Sequence, residues 1–112
     1  MSVRYILTLR ARFDLAAIVE HVSSQSGDRP AESVVLELRK CFQFLAENPG
    51  VGHERSDLTE DPAVRFWTSF PYLVAFVAEE QPLAIVGIVH GAREPQDLRQ
   101  YLRGVREEES GS

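Results

Sequence analysis

The spacing of apolar residues changes along the chain from an alternating to a helical pattern. Residues 3–9 place apolar side chains at every second position, which predicts a short strand. From Phe13 the spacing becomes i, i+3, i+4, i+7, which predicts an amphipathic helix. We expect this helix to end across residues 23–27, where Gly27 can supply a left-handed cap. The helical stripe consists of Leu15, Ile18, Val19 and Val22.

A second, longer helix is predicted from Pro30 to the residues before Asn48, where an Asn-Pro-Gly sequence stops it. Proline is tolerated in a first helical turn because its missing N–H would have no partner there. Two amphipathic helices joined by a brief polar turn predict an αα-hairpin that needs a surface to cover. The second stripe consists of Ala31, Val34, Val35, Leu38, Phe42 and Leu45.

Three strand-like segments follow the polar connector 51–62. Residues 64–68 alternate, so that Arg65 and Trp67 share one face, opposite Val64 and Phe66. Residues 72–78 and 83–89 are apolar throughout, which is typical of strands buried on both faces, and the loop 79–82 between them has the length of a hairpin loop.

The order of elements predicts an α+β fold, β-α-α-β-β-β, in which the helical hairpin packs on a small, mainly antiparallel sheet. Residues 96–105 predict a short last helix through Leu98, Tyr101, Leu102 and Val105. We expect one domain over residues 1–106 and a mobile acidic tail over 107–112.

The composition narrows the function classes. The formal net charge of −5 predicts weak general binding to phosphate backbones, although a local basic patch is compatible with it. The single cysteine excludes an internal disulfide, and no secretory signal or membrane span is recognisable, so we expect a cytoplasmic protein without membrane contact. No zinc-ligand spacing and no glycine-rich phosphate loop occurs, so no metal and no cofactor is predicted.

Several local sequences, in this order and at these intervals, are fairly specific for one family. The most specific block is Arg65-Phe66-Trp67, then Pro71-Tyr72-Leu73-Val74, then residues 85–90 followed by Gly91-Ala92-Arg93. It is preceded by Tyr5-Ile6-Leu7-Thr8, Asp14-Leu15, Pro49, Gly52 and Arg55. The chain therefore resembles the ParE/RelE toxin superfamily of type II toxin–antitoxin systems, from Tyr5 to about Leu98.

The resemblance implies one of two activities. ParE-like toxins poison DNA gyrase and RelE-like toxins cut messenger RNA on the ribosome, and a flexible antitoxin segment inactivates both. RelE-like toxins carry a Tyr-Arg-Leu-Val-Tyr pattern that corresponds to residues 72–76 here. Leu73 replaces the arginine and Phe76 the second tyrosine, while Arg93 matches a further functional arginine. One arginine cannot supply the whole nuclease mechanism.

The sequence is thus closer to the ParE-like branch. This resemblance implies a toxin that inhibits growth or stabilises a plasmid by acting on a protein target. The partners it implies are DNA gyrase and a cognate antitoxin, which would form a hetero-oligomer with the toxin. Sequence-specific nucleic-acid binding is not expected. The alternatives are a RelE-like endoribonuclease and a degenerate member that binds its antitoxin without toxicity.

No catalytic residue is assigned. Arg93 and His90 are the two side chains considered, and His90, at the end of an apolar strand, is more typical of a hydrogen-bonded structural histidine. His21 and His53 are interpreted as surface residues, and Cys41 as a small buried hydrophobe.

Partner binding is predicted at Arg65, Trp67, Tyr72 and Arg93. Arginine and tryptophan are enriched in interface hot spots, which favours a role of Arg65 and Trp67 in partner binding. An equally good interpretation is structural: Trp67 packs under a helix and Arg65 pairs with an acidic surface residue. Arg93 follows Gly-Ala and is expected to grip a carboxylate of an antitoxin or target, with a salt bridge to Glu94 or Asp97 as the alternative. An open sheet edge or apolar groove is the expected docking surface, covered in part by the chain's own residues 98–105.

Overall fold

The computed structural model describes residues 4–79 and 81–104. One sheet has the strand order β1-β4-β3-β2, in which β1 runs parallel to β4 and the other two pairs are antiparallel. The predicted α+β order is confirmed. Val105 and the predicted tail 107–112 lie outside the described residues. The elements are β1 (Tyr5–Leu7), α1 (Leu9–Ser26), α2 (Asp28–Glu47), β2 (Val64–Ser69), β3 (Tyr72–Val77), β4 (Leu83–His90) and α3 (Pro95–Leu102).

Helix α1 begins four residues before the predicted position, and the predicted strand through Leu9 is too long. Thr8 ends the strand because its hydroxyl accepts the Ala11 N–H at 3.1 Å, which is an N-cap hydrogen bond. Leu9 continues the alternating pattern of β1 but is 81% exposed on the first turn of the helix. The helix ends at Ser26, inside the predicted range 23–27, so the hairpin turn is Gly27 alone, at a φ of 95° that favours glycine.

Both faces of the sheet are covered, which confirms the prediction from the apolar runs. Helices α1 and α2 cover the face that carries Tyr72, Val74 and Phe76. Helix α3 and Leu58 of the connector cover the opposite face, which carries Leu73 and Ala75. The predicted last helix therefore packs through Leu98 and Leu102 on a sheet face rather than on an edge strand. No described helix combines the length and the apolar character needed to cross a bilayer.

A buried carboxylate ties α1 to β4 and α3. Asp14 is 3% exposed, and its Oδ2 accepts the backbone N–H of Ile88 at 3.0 Å. The hydroxyl of Tyr101 donates to Asp14 Oδ1, and Arg10 Nε lies 4.0 Å from the same oxygen. Strand β1 pairs only with residues 83–85 of β4, so Asp14 supplies the acceptor that a longer β1 would have offered to Ile88. The network satisfies a buried charge with donors from three elements.

The connector packs closely against the sheet at Gly52. His53 exchanges backbone hydrogen bonds with Phe66 of β2, both at 2.9 Å. Gly52 has a φ of 101°, and a Cβ at this position would lie 2.6 Å from Cζ of the buried Phe76. On the other side of the connector, Arg99 of α3 donates to the carbonyl of Ser56 at 2.6 Å. The connector is therefore held by both β2 and α3.

Replacement of Gly52 by alanine is expected to destabilise the fold by about 2–4 kcal/mol, because a left-handed backbone and an overpacked contact are combined. Gly50→Ala is the matched control, since a Cβ at Gly50 meets no atom within 4 Å. Urea unfolding of both variants measures the difference. Equal midpoints for Gly52→Ala and Gly50→Ala would contradict the close approach to Phe76.

The thiol of Cys41 is expected to be chemically inert in the folded protein. Burial raises the pKa of Cys41 to about 11, so the reactive thiolate is scarce at pH 8. Iodoacetamide should alkylate the native protein about a hundredfold more slowly than the same protein in urea, where the thiol regains an ordinary pKa. Equal rates in the two conditions would show that Cys41 is neither buried nor protonated as described.

Candidate functional site

A groove of about 350 Å³ lies where α1, α3 and the end of β4 meet. Helix α1 contributes Asp14, Ala17, Ile18 and His21. The sheet contributes Tyr72, Ile88, Val89 and His90, and Arg93 and Tyr101 complete the lining. The groove brings together three of the residues predicted from the sequence: Tyr72, His90 and Arg93.

Arg93 lies exposed in the turn between β4 and α3. Its guanidinium carbon is 5.8 Å from the centroid of the Tyr101 ring, which supports the arginine from one side. Neither Glu94 nor Asp97 forms an ion pair with it, and neither does any other acidic residue in the described ranges. The salt bridge considered from the sequence is therefore not formed, and Arg93 retains its hydrogen-bond donors for another molecule.

His90 has a structural hydrogen bond and a contact in the groove. Its Nδ1 accepts the backbone N–H of Ala92 at 3.1 Å and so holds the turn that leads to Arg93. Its ring packs edge-on against Tyr72, with centroids 5.7 Å apart. With Nδ1 as acceptor, the neutral ring carries its proton on Nε2. The hydrogen bond agrees with the structural interpretation, and the position agrees with a role in the groove.

His21 and Tyr101 belong to the groove although the sequence analysis assigned neither to a site. The Tyr101 ring lies against two guanidiniums: the Cζ atom of Arg10, on α1, is 4.3 Å from the ring centroid, and that of Arg93 is 5.8 Å from it. Burial, followed by the hydrogen bond to Asp14, raises the pKa of Tyr101, so this hydroxyl stays protonated and serves as a donor. His21 lies seven residues after Asp14 on α1, and this spacing puts both on one side of the helix.

Arg65 and Trp67 lie on β2 rather than in the groove. The Nη2 of Arg65 donates to the carbonyl of Gly52 at 2.9 Å, and its Nε is buried without a hydrogen-bond partner. Trp67 lies between Phe44 of α2, at 5.4 Å, and His53 of the connector, at 6.0 Å between ring centroids. Both side chains therefore have internal packing roles, and their role as partner anchors stays a prediction.

The groove offers little positive charge. Of the described residues that line it, Arg93 is the one arginine or lysine. Leu73, at the position where RelE-like toxins have an arginine, is 7% exposed and packs in the core on the α3 side. The described residues include no group of three or more His, Cys, Asp or Glu side chains placed to hold a metal ion. The groove thus offers one guanidinium, from Arg93, and two imidazoles, from His21 and His90.

Comparisons with known proteins identify the family of the chain. The family model described as the ParE toxin of the type II toxin–antitoxin system parDE matches residues 5–95. A solved structure described as the chromosomal ParDE TA system from P. aeruginosa has a TM-score of 0.65 and 26% sequence identity, covering 80% of this chain and 95% of that chain. Comparison with the curated proteins gave no match. The family model spans most of the chain, and the chain belongs to the family of ParE toxins of type II toxin–antitoxin systems.

Proposed function

We propose that this protein is the toxin of a toxin–antitoxin pair that acts by binding another protein, with DNA gyrase as its target and a cognate antitoxin as its inhibitor. The observation that carries the mode of action is the single permanent cation, Arg93, in the groove. Family membership and the similar ParDE system support the antitoxin partner. Gyrase is proposed from the resemblance to ParE-like toxins.

Electrostatics favour protein contact over RNA cleavage. The transition state of phosphodiester cleavage concentrates negative charge, and preorganised cations or donors around it supply much of the rate enhancement. Among the described residues that line the groove, Arg93 is the one permanent cation, and one cation does not meet that requirement; Leu73 packs in the core on the α3 side. Tyr101 is engaged with Asp14, so its hydroxyl is held as a donor to that carboxylate. Binding to another protein does not require several cations around one phosphate, so a single exposed arginine is compatible with it.

Toxicity and neutralisation are tested first in cells. Induction of this chain alone in a bacterial host should arrest growth, and co-expression of its cognate antitoxin should restore it. Arg29→Ala, which removes an exposed charge at the start of α2 that does not line the groove, serves as the control and should remain toxic. Normal growth on induction of the unmodified chain would instead favour a degenerate member.

The target is tested with purified components. Incubation with DNA gyrase and plasmid should produce gyrase-dependent double-strand breaks, because the toxin traps the cleaved intermediate of its protein target. Incubation with translating ribosomes should leave messenger RNA intact. Codon-positioned cuts in the message, with gyrase unaffected, would establish the RelE-like alternative and reject the proposal.

A further inference from the structure

We infer that this protein associates with a second copy of itself through the outer face of the α1–α2 hairpin, in a two-fold symmetric, antiparallel pairing of the two α2 helices. The inference does not rest on the proposed function, because it needs neither an antitoxin nor gyrase. It assigns a partner to a surface whose residues are separate from those of the groove at Arg93.

The first observation is an apolar depression of about 500 Å³ between the two helices, which we call the hairpin groove. Its described lining residues lie outside the core cluster that packs α1 and α2 on the sheet. Leu36 belongs to this lining and is 57% exposed. A protruding leucine beside an apolar groove on the same surface is the arrangement that lets two copies bury each other's side chains. The lining includes Val19 of α1 and Ala31, Glu32, Val35, Leu36 and Arg39 of α2.

The second observation is the order of charges along α2. Glu32, Val35, Leu36 and Arg39 have the spacing i, i+3, i+4, i+7, so they form one stripe on the helix. The stripe has an acidic end, a basic end and two apolar residues at its centre. A two-fold axis through that centre places Glu32 of each copy opposite Arg39 of the other, and the apolar centres face each other. The stripe is therefore complementary to itself when the helices run antiparallel.

The third observation is the state of these two charges. Glu32 and Arg39 are both exposed, and neither forms an ion pair with another described residue. On the same helix Lys40 and Glu37 pair with each other at 3.4 Å. Glu32 and Arg39 are two turns apart, about 10 Å along the helix axis, which is too far for an ion pair within one chain. A second copy supplies an opposite charge to both of them at once.

The size of the surface sets the expected strength of the pairing. One helix face on each side buries less than the roughly 800 Å² per partner that is typical of stable complexes. We therefore expect a weak dimer, with a dissociation constant of about 10–100 µM. Exposed ion pairs are screened by salt, so the pairing should be strongest at low ionic strength.

The experiment is sedimentation velocity on the purified toxin alone, from about 5 to 500 µM at low ionic strength. The unmodified chain should shift from monomer to dimer over this range. Glu32→Arg and Arg39→Glu should each weaken dimerisation by about tenfold or more, because both symmetric contacts then join like charges. An equimolar mixture of the two variants should dimerise as the unmodified chain does, since every contact between them again joins opposite charges. Glu54→Arg makes the same change of charge in the connector, outside the hairpin groove, and should dimerise normally.

Three results would overturn the inference: a monomer at the highest concentration, unchanged dimerisation in both charge variants, or a mixture that dimerises no better than either variant alone. A toxin that is monomeric by itself, and in which Glu32→Arg weakens only the binding of the antitoxin, would identify the antitoxin as the occupant of this face. Each of these results leaves the proposed function intact, because growth arrest and gyrase poisoning are measured separately.

A second measurement locates the symmetry axis. In a two-fold interface a residue meets its own counterpart only near the axis, and the axis is placed beside Leu36. Leu36→Cys should therefore form a disulfide-linked dimer under mild oxidation, while Glu54→Cys should remain a monomer on a denaturing gel. The native Cys41 is buried and does not interfere. Failure of Leu36→Cys to cross-link, or equal cross-linking of both variants, would contradict the antiparallel pairing.

Discussion

The buried carboxylate of Asp14 is the junction on which the rest of the structure depends. Strand β1 has three residues, and beyond it β4 would expose an unpaired N–H toward α1. Asp14 accepts that N–H and the hydroxyl of Tyr101, so one side chain fixes α1 against the sheet and α3 across its end. An unpaired carboxylate in this position would carry a large desolvation cost, which explains why its donors come from three elements at once.

This junction also shapes the functional surface. Because Tyr101 is held by Asp14 and Arg10, its ring lies beside Arg93, and residues of α1, α3 and the end of β4 line one groove. The wall residues are largely apolar and the cationic charge is concentrated in Arg93. Such a surface is suited to hold a polypeptide segment. Arg93 is the one permanent cation among its described lining residues, and on this basis we propose a protein target rather than RNA cleavage.

The sequence predicted the elements better than the contacts between them. Continuous apolar runs predicted β3 and β4 correctly because both sheet faces are buried, and Asn48 ended α2 as expected. The start of α1 was misplaced because Leu9 extends the alternation of β1, while the capping hydroxyl of Thr8 decides the boundary. The exposed position of Arg93 was expected from the Gly-Ala that precedes it, while its binding role stays a prediction. The hydrogen bond from Arg65 to Gly52 and the presence of His21 and His90 in one groove depend on tertiary packing, which no local spacing encodes.

The most direct test of the Asp14 junction is a double-mutant cycle between Asp14→Asn and Tyr101→Phe, with the free energy of unfolding measured by urea denaturation. Asp14→Asn removes the carboxylate charge and Tyr101→Phe removes the hydroxyl donor, and each change nearly keeps the shape of its side chain. We predict a coupling energy of about 1–2 kcal/mol, because the two groups form one buried network. Additivity within about 0.3 kcal/mol would contradict the junction, since it would mean that α3 is held independently of Asp14.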